Sequence, residues 1–453
     1  MPMRKFLFIL LFIVSLGTSS QNIVTTPETA LNNYLHNNDQ TFDWKLNNSL
    51  QLDGVTIYQV IFTSQKWREI TWRHELFINV PDNLSFADAL LFITGGGISE
   101  GEPRLHQMDD ELVVAFAQMA KKNQAITSVV YQVPNQPLYG DKTEDELISF
   151  TYHSFLNDGD YTWPLLFPMT KSAIRAMDVI QLFAQKELQS PINEFVVSGG
   201  SKRGWTTWLT GASDKRVKAI APMVIDVLNM PVSIEYHRTN WGDYSIQIQD
   251  YVDLGIAQQM ETESGQTLVT MVDPFSYRDK LTMPKMLIMG TNDEYWPVDA
   301  VKNYIDQIPG NNHLCYIANA GHGLGDKMQA LNTLSAFFAT TITNSPYPKF
   351  DYTPVEMGGK IKLHLQTSAD KLLDVRIFSS HSPDREFRDK KWVSESLQIA
   401  GKPSATVELN YPNSGFMAFY VELLYQAPMG HEYTETTRVY LSDSKKLYLG
   451  INE

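Results

Sequence analysis

A serine flanked by small residues joins an apolar run to a helical pattern in Phe195-Val196-Val197-Ser198-Gly199-Gly200-Ser201-Lys202-Arg203-Gly204-Trp205. Strand, sharp turn and helix make the shape of a nucleophile elbow, whose turn pushes the serine hydroxyl out above the sheet edge. A hydroxyl attacks at neutral pH only when a base takes its proton and an acid orients that base. After such an elbow the acid and then the histidine follow along the chain. Of the ten histidines, His237, His313 and His322 lie between Ser201 and the C-terminal region. His322, in Asn319-Ala320-Gly321-His322-Gly323, comes directly after a strand pattern and before the last helix, where the base belongs. His313 opens that strand, at the wrong end, and His237 sits in an irregular stretch. The bland alternative for His322 is a structural loop histidine.

For the acid, Met286-Leu287-Ile288-Met289-Gly290-Thr291-Asn292-Asp293 ends a strand with a carboxylate in the following loop, 92 residues after Ser201 and 29 before His322. Glu294 is a lesser candidate. Asp226 closes Met223-Val224-Ile225-Asp226, the other strand end from which an acid can be supplied. The oxyanion needs preorganised donors, and the backbone amides of Lys202 and of the Gly95-Gly96-Gly97 turn are placed to give them. Gly96 and Gly97 are therefore candidate oxyanion residues, with a tight turn needing positive φ as the alternative. One feature departs from the usual elbow: the second residue after the serine is Arg203, and glycine arrives only at Gly204. Lys202 and Arg203 either set a cation beside an anionic or carbonyl-rich substrate or form ion pairs that pin the elbow helix. Trp163, Trp205, Trp208, Tyr295 and Trp296 fall in segments near the site, as pocket lining or as core.

The elements that must hold these groups alternate. Val55 to Phe62 and Thr71 to Val80 read as strands, and Ala89 to Thr94 is the continuous apolar run of a strand buried on both faces. Asp109 to Lys122 reads as a helix with acids in its first turn and lysines in its last, and Ala125 to Val133 as a strand. Thr170 to Leu188 is helical, the elbow follows, and strands recur at Val217 to Val224, Lys285 to Met289 and Leu314 to Ala318 before a helix from Lys327 to Thr340. Such alternation predicts a mainly parallel sheet flanked by helices, an α/β-hydrolase-like domain over residues 21–345. After Asn344-Ser345-Pro346-Tyr347-Pro348 the period becomes two, and residues 346–453 read as a C-terminal antiparallel β-sandwich.

With 453 residues and a hydrophobic share of 43%, the chain is long and apolar enough to bury a large core. A net charge of −14 argues against nucleic-acid binding, and the acidic run from Asp141 to Glu146 reads as solvated exterior. Arg4 and Lys5 before the apolar run Phe6 to Leu16, then small residues to Ser20, form the pattern of a signal peptide over residues 1–20. That run is too short to span a bilayer, so a secreted or periplasmic protein without an integral membrane segment is expected. Cys315, the single cysteine, cannot form a disulfide within the chain and falls in a strand pattern. No metal-binding spacing, Walker loop or dinucleotide fingerprint is present, so no cofactor and no metal are expected.

The block Gly199-Gly200-Ser201-Lys202-Arg203-Gly204-Trp205-Thr206-Thr207-Trp208 resembles the most distinctive block of the PhoPQ-activated pathogenicity-related protein family. Phe42-Asp43-Trp44, Asp160-Tyr161-Thr162-Trp163-Pro164, Asp273-Pro274-Phe275-Ser276-Tyr277-Arg278, Pro284-Lys285, Asp293 and Asn319-Ala320-Gly321-His322 extend the resemblance over the mature chain. It implies a secreted or periplasmic hydrolase-like protein with Ser201, Asp293 and His322 as the triad. The leading expectation is a serine hydrolase that cleaves an ester or amide of a small-molecule or peptide substrate through an acyl-enzyme. The family also includes proteins of autocrine proliferation-repressor type. The alternative is therefore a secreted signalling or binding protein on a hydrolase scaffold, with the C-terminal sandwich as the contact for a protein partner.

Overall fold

The computed structural model describes residues 24–368, 371–399 and 401–451; the expected signal peptide lies outside them. The chain opens with helix α1 (Pro27–Leu35) and three long strands, β1 (Asp43–Leu52), β2 (Val55–Trp67) and β3 (Ile70–Pro81). Strand β4 (Asp88–Ile93) leads through a short hairpin, β5 (Ile98–Ser99) and β6 (Glu102–Pro103), to α2 (Glu111–Asn123) and β7 (Ile126–Val130). Helices α3 (Glu144–Asp158) and α4 (Leu166–Phe183) precede β8 (Glu194–Gly200), α5 (Lys202–Ser213) and β9 (Val217–Met223). After an excursion come β10 (Lys285–Gly290), β11 (Asn312–Ile317) and α9 (Met328–Ile342), the excursion itself holding α6 (Met230–Trp241), α7 (Gln249–Asp253) and α8 (Glu263–Val272).

These strands lie in the order β1-β2-β3-β7-β4-β8-β9-β10-β11. Pairing is antiparallel from β1 to β7 and parallel from β7 to β11. Side chains alternate across the sheet: Leu91, Val197 and Leu287 enter one core, and Leu90, Val196, Ile288 and Cys315 the other. Both faces are thus buried, which is why these strands read as continuous apolar runs. Cys315 is fully buried, and burial pushes its thiol up to about 12. The pairs Ile93–Gly199, Gly200–Met223, Ile288–Met223 and Gly290–Ile317 bring the strand ends to one edge. Gly95 to Gly97, Ser201, Asp226, Asp293 and His322 all leave the sheet at that edge, where open α/β sheets place their sites.

The excursion between β9 and β10 is helical, although its sequence reads as irregular. Its helices are short and separated by Gly242 and Gly255, so no long periodicity shows. The buried Asp273 accepts hydrogen bonds from the backbone N–H of Met230 (2.7 Å) and Phe275 (2.9 Å), fixing where α6 starts.

Beyond residue 346 the strands are antiparallel as expected, and one group of them joins the main sheet. Strands β12 (Phe350–Met357), β13 (Lys360–Thr367) and β16 (Ser404–Asn410) form one sheet. A second group contains β14 (Leu372–Ser382), β15 (Val393–Ser396), β17 (Phe416–Ala427), β18 (His431–Thr436), β19 (Tyr440–Ser442) and β20 (Leu447–Tyr448). Through the antiparallel pair Leu314–Thr436 it continues the main sheet beyond β11. Ile361, Leu363 and Val407 share one apolar core with Val375, Val421 and Phe337 of α9. A period of two reveals strands but not their partners, so the junction was hidden in sequence. Among the described residues no helix is long and apolar enough to cross a membrane.

Candidate active site

Ser201 sits between β8 and α5 with φ 57° and ψ −129°, a conformation that costs a non-glycine residue roughly 1–3 kcal/mol and persists only where its surroundings enforce it. The enforcement comes from close backbone crossings. A Cβ on Gly199 would lie 2.8 Å from the Arg203 carbonyl oxygen, and one on Gly204 2.8 Å from that of Met223. The positions that must be bare are therefore two before and three after the serine, which explains how Arg203 is accepted at the second. Gly200 is different, since a Cβ there meets only Val224 Cγ2 at 3.9 Å. Gly204→Ala is expected to destabilise the protein by about 1–3 kcal/mol through overpacking against backbone, while Gly200→Ala is tolerated. Urea titrations of the two variants check this, and equal midpoints would contradict it.

Arg203 turns away from the serine. Its guanidinium donates to both Glu144 carboxylate oxygens (2.6 and 2.7 Å), and its Nε to the Val133 carbonyl (2.6 Å). It also lies beneath the glycine turn, where a Cβ on Gly95 would come within 2.7 Å of Arg203 Nη2. Lys202 Nζ bridges Glu144 (3.0 Å) and Asp145 (3.1 Å). Of the two expectations for these cations, the geometry matches ion pairs that pin the elbow. The acidic run is correspondingly not all solvated exterior: Glu144 and Asp145 open α3 and face α5. Fifty-odd residues separate the partners, so no spacing rule connects them.

Burial alone would raise Glu144, but the hydrogen bonds and charge of Arg203, with Lys202 and Gln136, hold it down at about 2. Such a depressed acid contributes stability that is complete above its ordinary 4.5 and is lost as pH falls towards about 2. Glu144→Gln should flatten the acid limb of stability over that window. Thermal melts stepped through it test the point, and an unchanged slope would contradict it.

His322 is held from two sides. His322 Nδ1 lies 3.0 and 2.9 Å from the two oxygens of Asp293, which also accepts the Tyr295 backbone N–H (2.9 Å). An ionised carboxylate only accepts, so Nδ1 carries the proton and Nε2 offers its lone pair. Nε2 is buried without a protein partner, and the imidazole lies against Tyr295 with ring centroids 4.1 Å apart. Burial keeps Asp293 above the usual carboxylate range, against the pull of His322. Glu294 plays another part: its Oε2 accepts the His322 backbone N–H (2.8 Å), and its Oε1 fills the space a Cβ on Gly321 would need.

The other candidates fall elsewhere. Asp226 is buried with Oδ1 unpartnered, and burial pushes it up to about 7 against the pull of the Tyr304 hydroxyl. His237 is buried in the helical excursion between β9 and β10 (the cap) beside Trp241 and Trp296, and burial drives it down to about 3. His313 pairs with Glu435 at the opposite end of β11. The glycine turn follows β4 opposite Ser201, two residues past the pair Ile93–Gly199. Gly96 has φ 133°, where a side chain would be strained, and a Cβ there would come 3.1 Å from Gln132 N. Gly97 has an ordinary φ, and its carbonyl accepts the Arg104 N–H (2.9 Å).

Beside Ser201 the cap and the sheet edge line an apolar pocket. Ile225, Val227, Trp205 and Trp296 contribute from the sheet side, and Met230, Ile234, Ile248 and Met260 from the cap. Its polar patch is Asp145, which accepts from Tyr251 (3.1 Å) and Tyr295 (3.3 Å) besides pairing with Lys202. Of the five aromatic residues singled out in sequence, Trp205, Tyr295 and Trp296 line this pocket. Trp208 is fully buried core, and Trp163 packs under Arg68 at 3.4 Å. Among the described residues no cluster suited to hold a metal ion occurs.

The family described as PhoPQ-activated pathogenicity-related protein matches residues 31–388. The chain is 28% identical over 456 residues to autocrine proliferation repressor protein A of Dictyostelium discoideum, covering 93% of this chain and 90% of that protein. Similar solved structures include an acetyl xylan esterase from Paenibacillus sp. R4 (11% identity, TM-score 0.48, 70% of this chain and 93% of that one). Another is an S-formylglutathione hydrolase from Agrobacterium tumefaciens (10% identity, TM-score 0.43, 66% and 99%). At such scores nothing about substrate passes from them to this chain.

Proposed function

We propose that this chain, which belongs to the PhoPQ-activated pathogenicity-related protein family, is a serine hydrolase that cleaves an ester or amide carrying an apolar group. The observation that carries the reading is His322, with Nδ1 on Asp293 and Nε2 left unpartnered at the sheet edge that holds the strained Ser201. In the proposed reaction Ser201 Oγ attacks the carbonyl carbon while His322 Nε2 takes the hydroxyl proton. The Lys202 amide, at the N-terminus of α5, and the Gly96–Gly97 turn receive the oxyanion. Collapse expels the leaving group, which takes the proton back from His322. Water, deprotonated by the same nitrogen, then releases the acid from the acyl-enzyme. The apolar pocket takes the hydrophobic part of the substrate. Export as a secreted or periplasmic protein belongs to the same proposal and rests on the leader pattern ending near Ser20.

A series of p-nitrophenyl esters tests it. Each methylene buried in the pocket should raise kcat/KM about fourfold, from about 0.8 kcal/mol of transfer free energy, and charged succinyl esters should be poor. A burst of p-nitrophenol equal to the enzyme concentration would register the acyl-enzyme. No turnover of any ester or amide would contradict the reading. The name of the Dictyostelium relative, a proliferation repressor, supports a second reading in which the scaffold signals by binding a protein partner. Absence of turnover in well-folded protein would favour it.

A further inference from the structure

The acid and the base stand on two loops that are zipped together and then tied to the C-terminal region. Thr291 N–H donates to the Ile317 carbonyl (3.1 Å) and Asn292 N–H to that of Ala320 (2.9 Å), while Asn319 N–H donates to Thr291 Oγ1 (2.9 Å). The crossing is so close that a Cβ on Gly290 would come within 2.3 Å of the Ala320 oxygen. This zipper fixes the loops to one another but not to the rest of the molecule.

Two asparagine side chains tie them to the C-terminal region. Asn292, next to Asp293, accepts the Thr291 hydroxyl on Oδ1 (2.8 Å). Its Nδ2 faces the carbonyls of Phe387 (3.2 Å), Arg388 (3.1 Å) and Lys390 (2.7 Å). Asn319, three residues before His322, pairs with the backbone of Trp392 in both directions: Trp392 N–H to Oδ1 (2.8 Å) and Nδ2 to the Trp392 carbonyl (3.1 Å). The segment they grip is itself anchored. Trp392 is buried against Tyr420 of β17, and Ser380 of β14 donates to the Lys391 carbonyl (3.0 Å). From the same segment the Arg388 guanidinium lies 4.0 Å over the Trp241 ring, on the cap helix α6. An amide suits this work because it donates and accepts at once without charge.

We propose that Asn292 and Asn319 are positioning residues for the Asp293–His322 pair, and that the 387–392 segment is the platform on which the acid and base loops are registered. The proposal rests on the hydrolase reading above. It gives the C-terminal strands a duty in catalysis, because a shift of that segment moves the base relative to Ser201. A misplacement of about 1 Å costs on the order of 10²-fold in rate.

The test compares full-length wild type with Asn292→Ala and Asn319→Ala, and with Lys390→Ala, which keeps the carbonyl that Asn292 uses. Two readouts are taken: the second-order rate of fluorophosphonate labelling, and the low-field proton resonance of the His322 Nδ1–H bond to Asp293. The asparagine variants should label roughly 10- to 100-fold more slowly, with that resonance lost or broadened and the circular-dichroism spectrum intact. Lys390→Ala should match wild type. Folded asparagine variants that label at the wild-type rate with the resonance in place would overturn the proposal. Should the alanine variants fold poorly, the isosteric Asn319→Asp, which sets a charged acceptor against the Trp392 carbonyl in place of the donor, decides in the same way. If wild type itself does not label, the hydrolase reading fails, yet the resonance still shows whether the clamp holds the pair.

Discussion

Replacing His322 with alanine is expected to lower ester hydrolysis by roughly 10⁵- to 10⁶-fold, as much as removing Ser201 itself. The size of the effect follows from the geometry. His322 is the base candidate at the sheet edge whose ring is both oriented, through Nδ1 by Asp293 at 2.9 Å, and left without a protein partner at Nε2. No neighbouring group replaces it, because His237 is buried in the cap and His313 lies at the far end of β11. Serine and histidine act as one unit, so the double variant Ser201→Ala/His322→Ala should be no slower than either single variant. Additive losses in kcat would contradict a shared mechanism. The backbone N–H of residue 322 keeps its bond to Glu294 in the alanine variant, so the loop and the thermal midpoint should hold.

The second large effect separates the two carboxylates. Asp293→Asn should cost roughly 10⁴-fold in kcat, because an amide facing Nδ1 favours the wrong imidazole tautomer while leaving the geometry intact. Asp226→Asn should change kcat by less than about tenfold, since an adjustment that touches no reacting group lies within the scale of a single ordinary interaction, about 1.4 kcal/mol. No hydrogen bond joins Asp226 to the imidazole: its neighbour is Tyr304, and burial favours its neutral form. An amide is a fair replacement for a neutral acid there. Comparable losses in both variants would mean that the acid is shared between the two strand ends and that the assignment to Asp293 is incomplete.

Much of the candidate site was legible because its signals are local. The apolar run Phe195 to Val197, the paired glycines and the strand–loop positions of Asp293 and His322 each lie within a few residues of the structure they report. The parallel sheet was legible for the same reason: strands buried on both faces are continuous apolar runs. Long-range partners were not. Glu144 reads as part of a solvated acidic stretch until the fold brings it onto Arg203, and Asn292 and Asn319 look like ordinary loop residues until Phe387 to Trp392 arrive beneath them. The cap was missed because short helices broken by glycine leave little periodicity. The C-terminal strands showed their period of two, but pairing Leu314 with Thr436 joins elements more than a hundred residues apart.

The most direct measurement is to treat the purified protein with a fluorophosphonate and locate the adduct by peptide mass spectrometry. The account predicts stoichiometric modification of Ser201, abolished in Ser201→Ala and in His322→Ala and slowed when an apolar ester competes for the pocket. A folded protein that stays unmodified, or that is modified equally well without His322, would contradict the claim that Ser201 is an activated nucleophile.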